Sequence, residues 1–352
     1  MPEANRGHEE ADPMRFLDVP IYLSRWARAA ILVLLWPALW LTVTAQATPL
    51  RLVSTAWPPF TNAPRQPRFA LDLVEDALGR INLTARTTIV SASQFTPSLL
   101  SGLFDGSAAA WQDPERERAL VFSQPYLENR LVLVGRHGAD VSAKTPADLQ
   151  GRRIAIVEGY SYGEAIGGGG PVWVRSRSEE DSLTQLLKGA VDYTLMDALV
   201  VHYIVSNYPK ESGVKLQIGS RALVTRELHF AVNRARADAA SIVERFDAQI
   251  RSMIADRTYH RLLHVDWIRA DVDGDGVPEY VPLNDRPGPT EPQHVYTLFT
   301  APTASEPGAK PGFYLGGTIY GDWASVPENY KVSNSDKPDP RRSTGTVFKF
   351  SW

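Results

Sequence analysis

The chain has 352 residues, 43% hydrophobic and 22% charged, a globular composition long enough for one large or two medium domains. A formal net charge of −3 offers no basic surface for nucleic acid. The sequence holds no cysteine, which excludes disulfides, thiol catalysis, cysteine-ligated zinc or iron–sulfur centres, and a lipid anchor on cysteine.

The chain opens on a polar lead, 1–24, inside which Met14 is a second candidate start. Arg25 and Arg28 then precede a short apolar run, 29–43, which ends in Ala45-Gln46-Ala47. A positive flank, an apolar core and a small-x-small site are the three parts of a secretory signal peptide, so 1–47 is expected to be removed. The other reading is an uncleaved membrane anchor, against which the run is short and carries Pro37. Removal takes four arginines and five acids and leaves a charge of −2.

From Leu50 strands and helices alternate. "LRLVSTAW" reads as a strand stopped by Pro58-Pro59, and "ALDLVEDALGRI" repeats Leu71, Val74, Leu78 and Ile81 at helical spacing. "ARTTIVSA" is β-rich, "FTPSLLSGLF" is a short helix with Pro97 in its first turn, and "GSAAAW" and "RLVLVGR" are strands. "TPADLQG" is a short helix with Thr145 as N-cap, and "RRIAIVEG" is a strand delivering Gly159. Tyr160 and Ser161 follow and are expected to open a helix that the 167–170 glycine run breaks. "PVWVRS", "EEDSLTQLLKGA", "VDYTLMD", "ALVVHYIVSNY" and "ELHFAVNR" continue the alternation, and an amphipathic helix pair ends near Trp267. Such alternation predicts an α/β fold with open, mostly parallel sheets, whose ligands bind at strand carboxyl ends.

Beyond Trp267 the composition changes. Asp271, Asp273, Asp275 and Glu279 occupy positions 1, 3, 5 and 9 of a loop, with the Val277 carbonyl at 7 and Gly276 at 6 for the turn. Oxygen ligands at these positions suit Ca²⁺ in a structural role, and the loop resembles EF-hand, dockerin and FG-GAP-type calcium loops. Pro282 at position 12 departs from a full EF-hand, and the other reading is an acidic turn at a domain boundary. Residues 283–352 are rich in Pro, Gly, Ser and Tyr; "HVYTLFTA", "GFYLGGTIYG" and "STGTVFKFSW" read as short strands of a β extension, with loose stretches at 301–311 and 333–344.

Four places resemble the type 2 periplasmic solute-binding proteins, in the polar amino-acid branch (bacterial extracellular solute-binding family 3). They are "WPPF" at 57–60, "DPERERALVFSQPY" at 113–126, "TPADLQGRRIAIVEGYSYGE" at 145–164 and "GAVDYTLMD" at 189–197. The resemblance covers about 49–268. It implies a two-lobed fold with a hinge, lobe one at 49–132 and 226–268, lobe two at 133–225. It places Arg116 on the arginine that holds the ligand carboxylate and Asp197 on the carboxylate that meets the ligand ammonium. It implies capture of a small carboxylate, an amino acid or related compound, for an inner-membrane permease in the periplasm by a monomer. A guanidinium fork does match a carboxylate bidentately. Each residue also has a plainer reading: Arg116 as a helix-end charge, Ser161 as an N-cap rather than part of an anion nest with Tyr160, and Asp197 as the N-cap of the next helix. Trp57, Phe60 and Trp111 serve either as walls of an aromatic pocket or as core. Arg68-Phe69-Ala70 stands where the family has Gly-Phe-Asp, and Trp111 and Asp113 stand where it has small hydroxyl residues. Asp113 is a candidate to compensate for the missing acid, and the ligand stays open between an α-amino acid and another small carboxylate. No enzyme is expected: "GYSYG" imitates a nucleophile elbow, but Asp197 and His202 lie too close in sequence for a triad. A dehydratase-like enzyme and a ligand-sensing receptor module are the alternatives.

Overall fold

The structure, a computed structural model, describes residues 48–166, 168–208, 215–292, 295–297 and 311–332. The leader, the glycine at 167, most of the two loose stretches and the strand expected at 343–352 lie outside these residues. Among the described residues no helix is long and apolar enough to cross a membrane.

Strands β1 (Leu50–Thr55), β2 (Ala85–Val90) and β3 (Gly106–Trp111) pair in parallel. Both faces of this sheet are covered, as parallel sheets require. Helix α1 (Phe69–Arg80) buries Phe69, Leu71, Leu73, Val74, Ala77 and Leu78, the 3.6-residue stripe the sequence predicts. It packs on the face carrying Leu52, Ala108 and Phe230. The opposite face, with Val53, Ala110 and Ala231, receives Phe95 and Leu99 of α2 (Ala92–Leu100). That helix begins before the expected first turn, so Pro97 lies inside it. The alternation of side chains along β1 and β9, with an irregularity in β3 between Ser107 and Ala110, sorts the sheet between a large core and a small one.

Short helix α3 (Pro114–Ala119) leads into β4 (Leu120–Phe122), and β5 (Leu127–Arg136) follows. The next segment supplies β6 (Arg153–Val157), β7 (Val172–Ser176), α4 (Glu179–Leu187), β8 (Tyr193–Asp197) and α5 (Ala198–Asn207). Strand β9 (Leu216–Asn233) is 18 residues long and runs antiparallel to β5 from Leu127↔Leu228 to Arg136↔Leu216. It also pairs with β3 and β4. The result is one nine-stranded sheet, ordered β2-β1-β3-β9-β5-β8-β6-β7 with β4 on β9, in which two long antiparallel strands join two parallel halves. The β5–β9 register shifts between Leu131 and Val134, so the ladder is irregular where the two halves meet.

Gly159 and Tyr160 do not open an α-helix as expected. The chain after β6 runs as an open loop to a single 3-10 turn, Glu164–Ile166. The glycine-rich run supplies no apolar stripe that would repay a longer helix. Helices α6 (Ala239–Ala255) and α7 (Thr258–Leu263) return to the first half. The C-terminal sheet, ordered β12-β10-β11-β13-β14, starts earlier than expected. The acidic loop is the turn of a hairpin between β10 (Trp267–Ala270) and β11 (Glu279–Pro282), joined by β12 (Tyr296–Thr297), β13 (Phe313–Leu315) and β14 (Thr318–Tyr320). Its own core is Phe313, Leu315 and Val326, ringed by Trp267, Tyr280 and Trp323.

Candidate functional site

The strand ends of the two halves meet at a pocket lined by Ser54, Thr55, Trp57, Phe95, Trp111, Arg116, Tyr160 and Ser161 among others. Its enclosed room is about 30 Å³, well below that of small-ligand sites, so the walls stand close together. Trp57 is presented by a tight turn after β1: its backbone exchanges hydrogen bonds with Thr61, and the Thr61 hydroxyl donates to the Thr55 carbonyl at 2.7 Å. Phe60 stands behind Trp57, stacked at 4.4 Å, and is not a wall of the pocket. Trp57, Trp111 and Tyr160 meet at 5.6–6.0 Å with interplanar angles of 67–87°, which makes a three-sided aromatic corner.

Arg116 is the central cation. It is only 3% exposed although α3 is a surface helix in sequence terms. Asp113 caps α3 by accepting from the Glu115 and Arg116 amides, and its other oxygen lies 3.3 Å from Arg116 Nε. Arg116 donates to the Trp111 carbonyl at 2.9 Å, the Thr96 hydroxyl at 2.7 Å and the Gly159 carbonyl at 3.3 Å, and its guanidinium lies over Phe95. Its Nε has no hydrogen-bond acceptor. Burial pulls its pKa down, partly offset by Asp113, and Arg226 lowers it further. Thus both halves of the sheet touch one guanidinium: Trp111 and Thr96 from the first, Gly159 from the second. Gly159 has φ +85, and a Cβ there would stand 2.6 Å from the Ala92 carbonyl oxygen, so the approach of the halves needs a glycine.

Asp197 does not line the pocket. It is 1% exposed and caps α5, accepting from the Leu199 and Val200 amides at 2.7 and 3.4 Å. Its other oxygen accepts from Asn129 Nδ2 at 3.2 Å and the Arg130 amide at 3.0 Å. Asn129 in turn accepts from the Trp111 indole at 2.7 Å. Asp197 therefore reaches the pocket only through Asn129 and Trp111. Burial raises its pKa to about 7 against these four N–H donors, which favour the anion.

Three further groups were not singled out by the sequence reading. Thr96 holds Arg116. Arg226 lies over the Trp111 ring at 5.9 Å and donates to the Gln112 carbonyl. Glu179, the first residue of α4, is 7% exposed, and burial raises its pKa to about 8, with Glu180 and Asp197 adding to the rise. The indole Nε1 of Trp57 faces this carboxyl and favours its anion, and neither that nitrogen nor Glu179 Oε2 has any other hydrogen-bond partner. In sequence Glu179 is one of three acids after the cap Ser178, a pattern that fits an exposed helix start.

Around the distant β10–β11 turn, carboxylate oxygens of Asp271, Asp273 and Asp275 lie within 4.8 Å of one another. Gly274 and Gly276 turn the loop at φ +83 and +87. Asp271 accepts from the Gly274 and Gly276 amides, and Asp275 from the Val277 amide. Glu279 is buried, accepts from the Val272 amide at 3.1 Å, and has its pKa raised by burial, with Asp273 and Asp275 contributing. Carboxylates crowded in this way suit a hard cation with oxygen ligands.

The profile of the bacterial extracellular solute-binding proteins, family 3, matches residues 52–269. ABC transporter arginine-binding protein 1 of Escherichia coli (strain K12) is 24% identical over 216 residues, 60% of this chain and 86% of that protein. An ancestral arginine-binding protein bound to arginine superposes with a TM-score of 0.53 at 21% identity, covering 62% of this chain and 98% of the other. An ancestral arginine-binding protein bound to glutamine gives 0.51 at 21% identity, covering 61% and 96%.

Proposed function

Since the chain belongs to the bacterial extracellular solute-binding proteins, family 3, we propose that it captures a small carboxylate, an amino acid or close relative, between the two halves of its sheet. The observation that carries this reading is Arg116: a buried guanidinium at a pocket wall, touched by both halves, with an Nε that has no acceptor. A carboxylate would take the fork bidentately, and exclusion of water strengthens that pairing. Ser161, on the opposite wall, adds a hydroxyl donor. A solute held by both walls favours the state in which they are together, with the irregular β5–β9 ladder as the hinge. Export to the periplasm through the leader and delivery to an ABC-type permease complete the reading, supported by relatives that are named as ABC transporter arginine-binding proteins. Isothermal titration of residues 48–352 against amino acids and small carboxylates tests it. The expected result is one solute class bound at one site, with binding lost in Arg116→Ala; no binding across the set defeats the reading.

The β10–β11 turn supports a second reading: Asp271, Asp273, Asp275, the Val277 carbonyl and Glu279 hold a structural Ca²⁺ that ties the C-terminal sheet together. Terbium luminescence, displaced by Ca²⁺ and absent in Asp273→Asn/Asp275→Asn, tests this reading.

A further inference from the structure

The room beside Arg116 is small because three rings close on it. Its volume of about 30 Å³ takes about two water molecules, roughly the bulk of one carboxylate group. Whatever that carboxylate carries must pass the aromatic corner towards the mouth. Each ring of the corner is braced. Trp57 has Phe60 stacked on it at 4.4 Å and the Glu179 carboxyl at its indole nitrogen. Trp111 donates to Asn129 at 2.7 Å and carries Arg226 over its ring. Tyr160 crosses from the other half of the sheet, and Thr55 at the end of β1 hydrogen-bonds its hydroxyl. Tyr162 packs beside Tyr160 at 6.0 Å and is itself fixed, its hydroxyl accepting from the Val157 amide at 2.8 Å. The backbone before Tyr160 is pinned too, since the Gly159 carbonyl accepts from Arg116 and Thr96. A ring held at its hydroxyl, its edges and its backbone turns aside only at the cost of that packing.

We propose that Tyr160 is the size filter of the pocket: its ring stands where a long substituent on the solute would have to go, so the chain takes short carboxylates and rejects long ones. The proposal rests on the reading of Arg116 as the carboxylate holder and adds a limit on what that carboxylate carries. Trp57 and Trp111 rise from the same half as Arg116 and form a fixed wall with it. Tyr160 alone of the three rings comes from the opposite half, and it meets Trp57 and Trp111 edge-on at 6.0 and 5.6 Å. The gap between the walls is therefore set by the bulk of this one side chain. A substituent that reaches the ring overpacks a braced corner, and a shorter one lies against Trp57 and Tyr160 without displacing either.

Titration calorimetry with two homologous series tests the proposal: the straight-chain amino acids from glycine to norleucine, and the straight-chain acids from acetate to hexanoate. The wild-type chain is expected to bind the short members best and to lose about 10- to 100-fold by the longest, the span of an overpacked side chain. In Tyr160→Ala the order reverses, with a gain of about fourfold per added methylene, the worth of a buried CH₂. Tyr160→Phe keeps the ring and with it the wild-type order, which separates the bulk of the ring from its bond to Thr55. Tyr160→Leu shifts the limit part of the way and carries the test should the alanine variant not fold. A wild-type affinity that rises with chain length overturns the filter. So does an unchanged order in Tyr160→Ala and Tyr160→Leu; if binding is still lost in Arg116→Ala, the Arg116 reading stays intact. If no member of either series binds any of these proteins, the filter is overturned, and the wider panel decides the solute-binding reading.

Discussion

Replacing Asp197 by Ala separates a scaffold role from a ligand-contact role. The carboxylate accepts from Leu199 N, Val200 N, Asn129 Nδ2 and Arg130 N. Loss of the helix cap costs about 1 kcal/mol. Two further buried donors, on Asn129 and Arg130, lose their acceptor at about 1–3 kcal/mol each. Relief of a buried, desolvated carboxylate offsets part of this, which leaves a net loss of about 2–4 kcal/mol from a total of about 5–15 kcal/mol. At this chain length that is a drop of roughly 4–8 °C in Tm. Because Asn129 also orients Trp111, the intrinsic fluorescence of the folded state should shift as well. Urea denaturation without added solute is the assay, with Asp197→Asn as the control that keeps an oxygen for the α5 cap. Unchanged solute-free stability, together with lost binding, would refute the reasoning and put the carboxylate in the cleft.

Acid should loosen the joint between α7 and the C-terminal sheet. His260 is fully buried, its Nε2 bonds the Val281 carbonyl at 3.0 Å, and burial lowers its pKa to about 4. A histidine kept neutral in the folded state contributes stability above its unfolded pKa of 6.5 and loses it as pH falls towards 4. The loss is about 3 kcal/mol, readable as the urea midpoint at pH 7 and pH 4. Gly159→Ala should cost about 1–2 kcal/mol through its left-handed backbone, and should weaken solute binding by pushing the halves apart at Ala92; unchanged Kd would deny that contact. Calcium at about 100 times its Kd should raise Tm by about 5 °C over EDTA, and Asp273→Asn/Asp275→Asn should abolish the rise.

Much of the fold is legible in residues that act locally. The Leu71–Leu78 stripe predicts α1, and the Pro58-Pro59 pair predicts the end of β1. The loop after Gly159 misleads because Tyr-Ser-Tyr-Gly imitates a capped helix start, whereas the following glycines cannot sustain one. The 18-residue β9 is only partly visible, since Arg221 and Arg226 interrupt its apolar pattern and its pairing is to segments about 90 residues away. At the site, Arg116 and the aromatic residues stand out in sequence. Glu179 does not, because its burial is made by Trp57, Tyr160 and Tyr162, which lie far from it in the chain.

An experimentally determined structure of residues 48–352 with its bound amino acid or carboxylate is the most direct measurement. The account predicts both carboxylate oxygens on Arg116 at about 2.7–2.9 Å, with the rest of the solute against Trp57 and Tyr160. A solute bound elsewhere, with Arg116 still engaged only by Trp111, Thr96, Asp113 and Gly159, would contradict it.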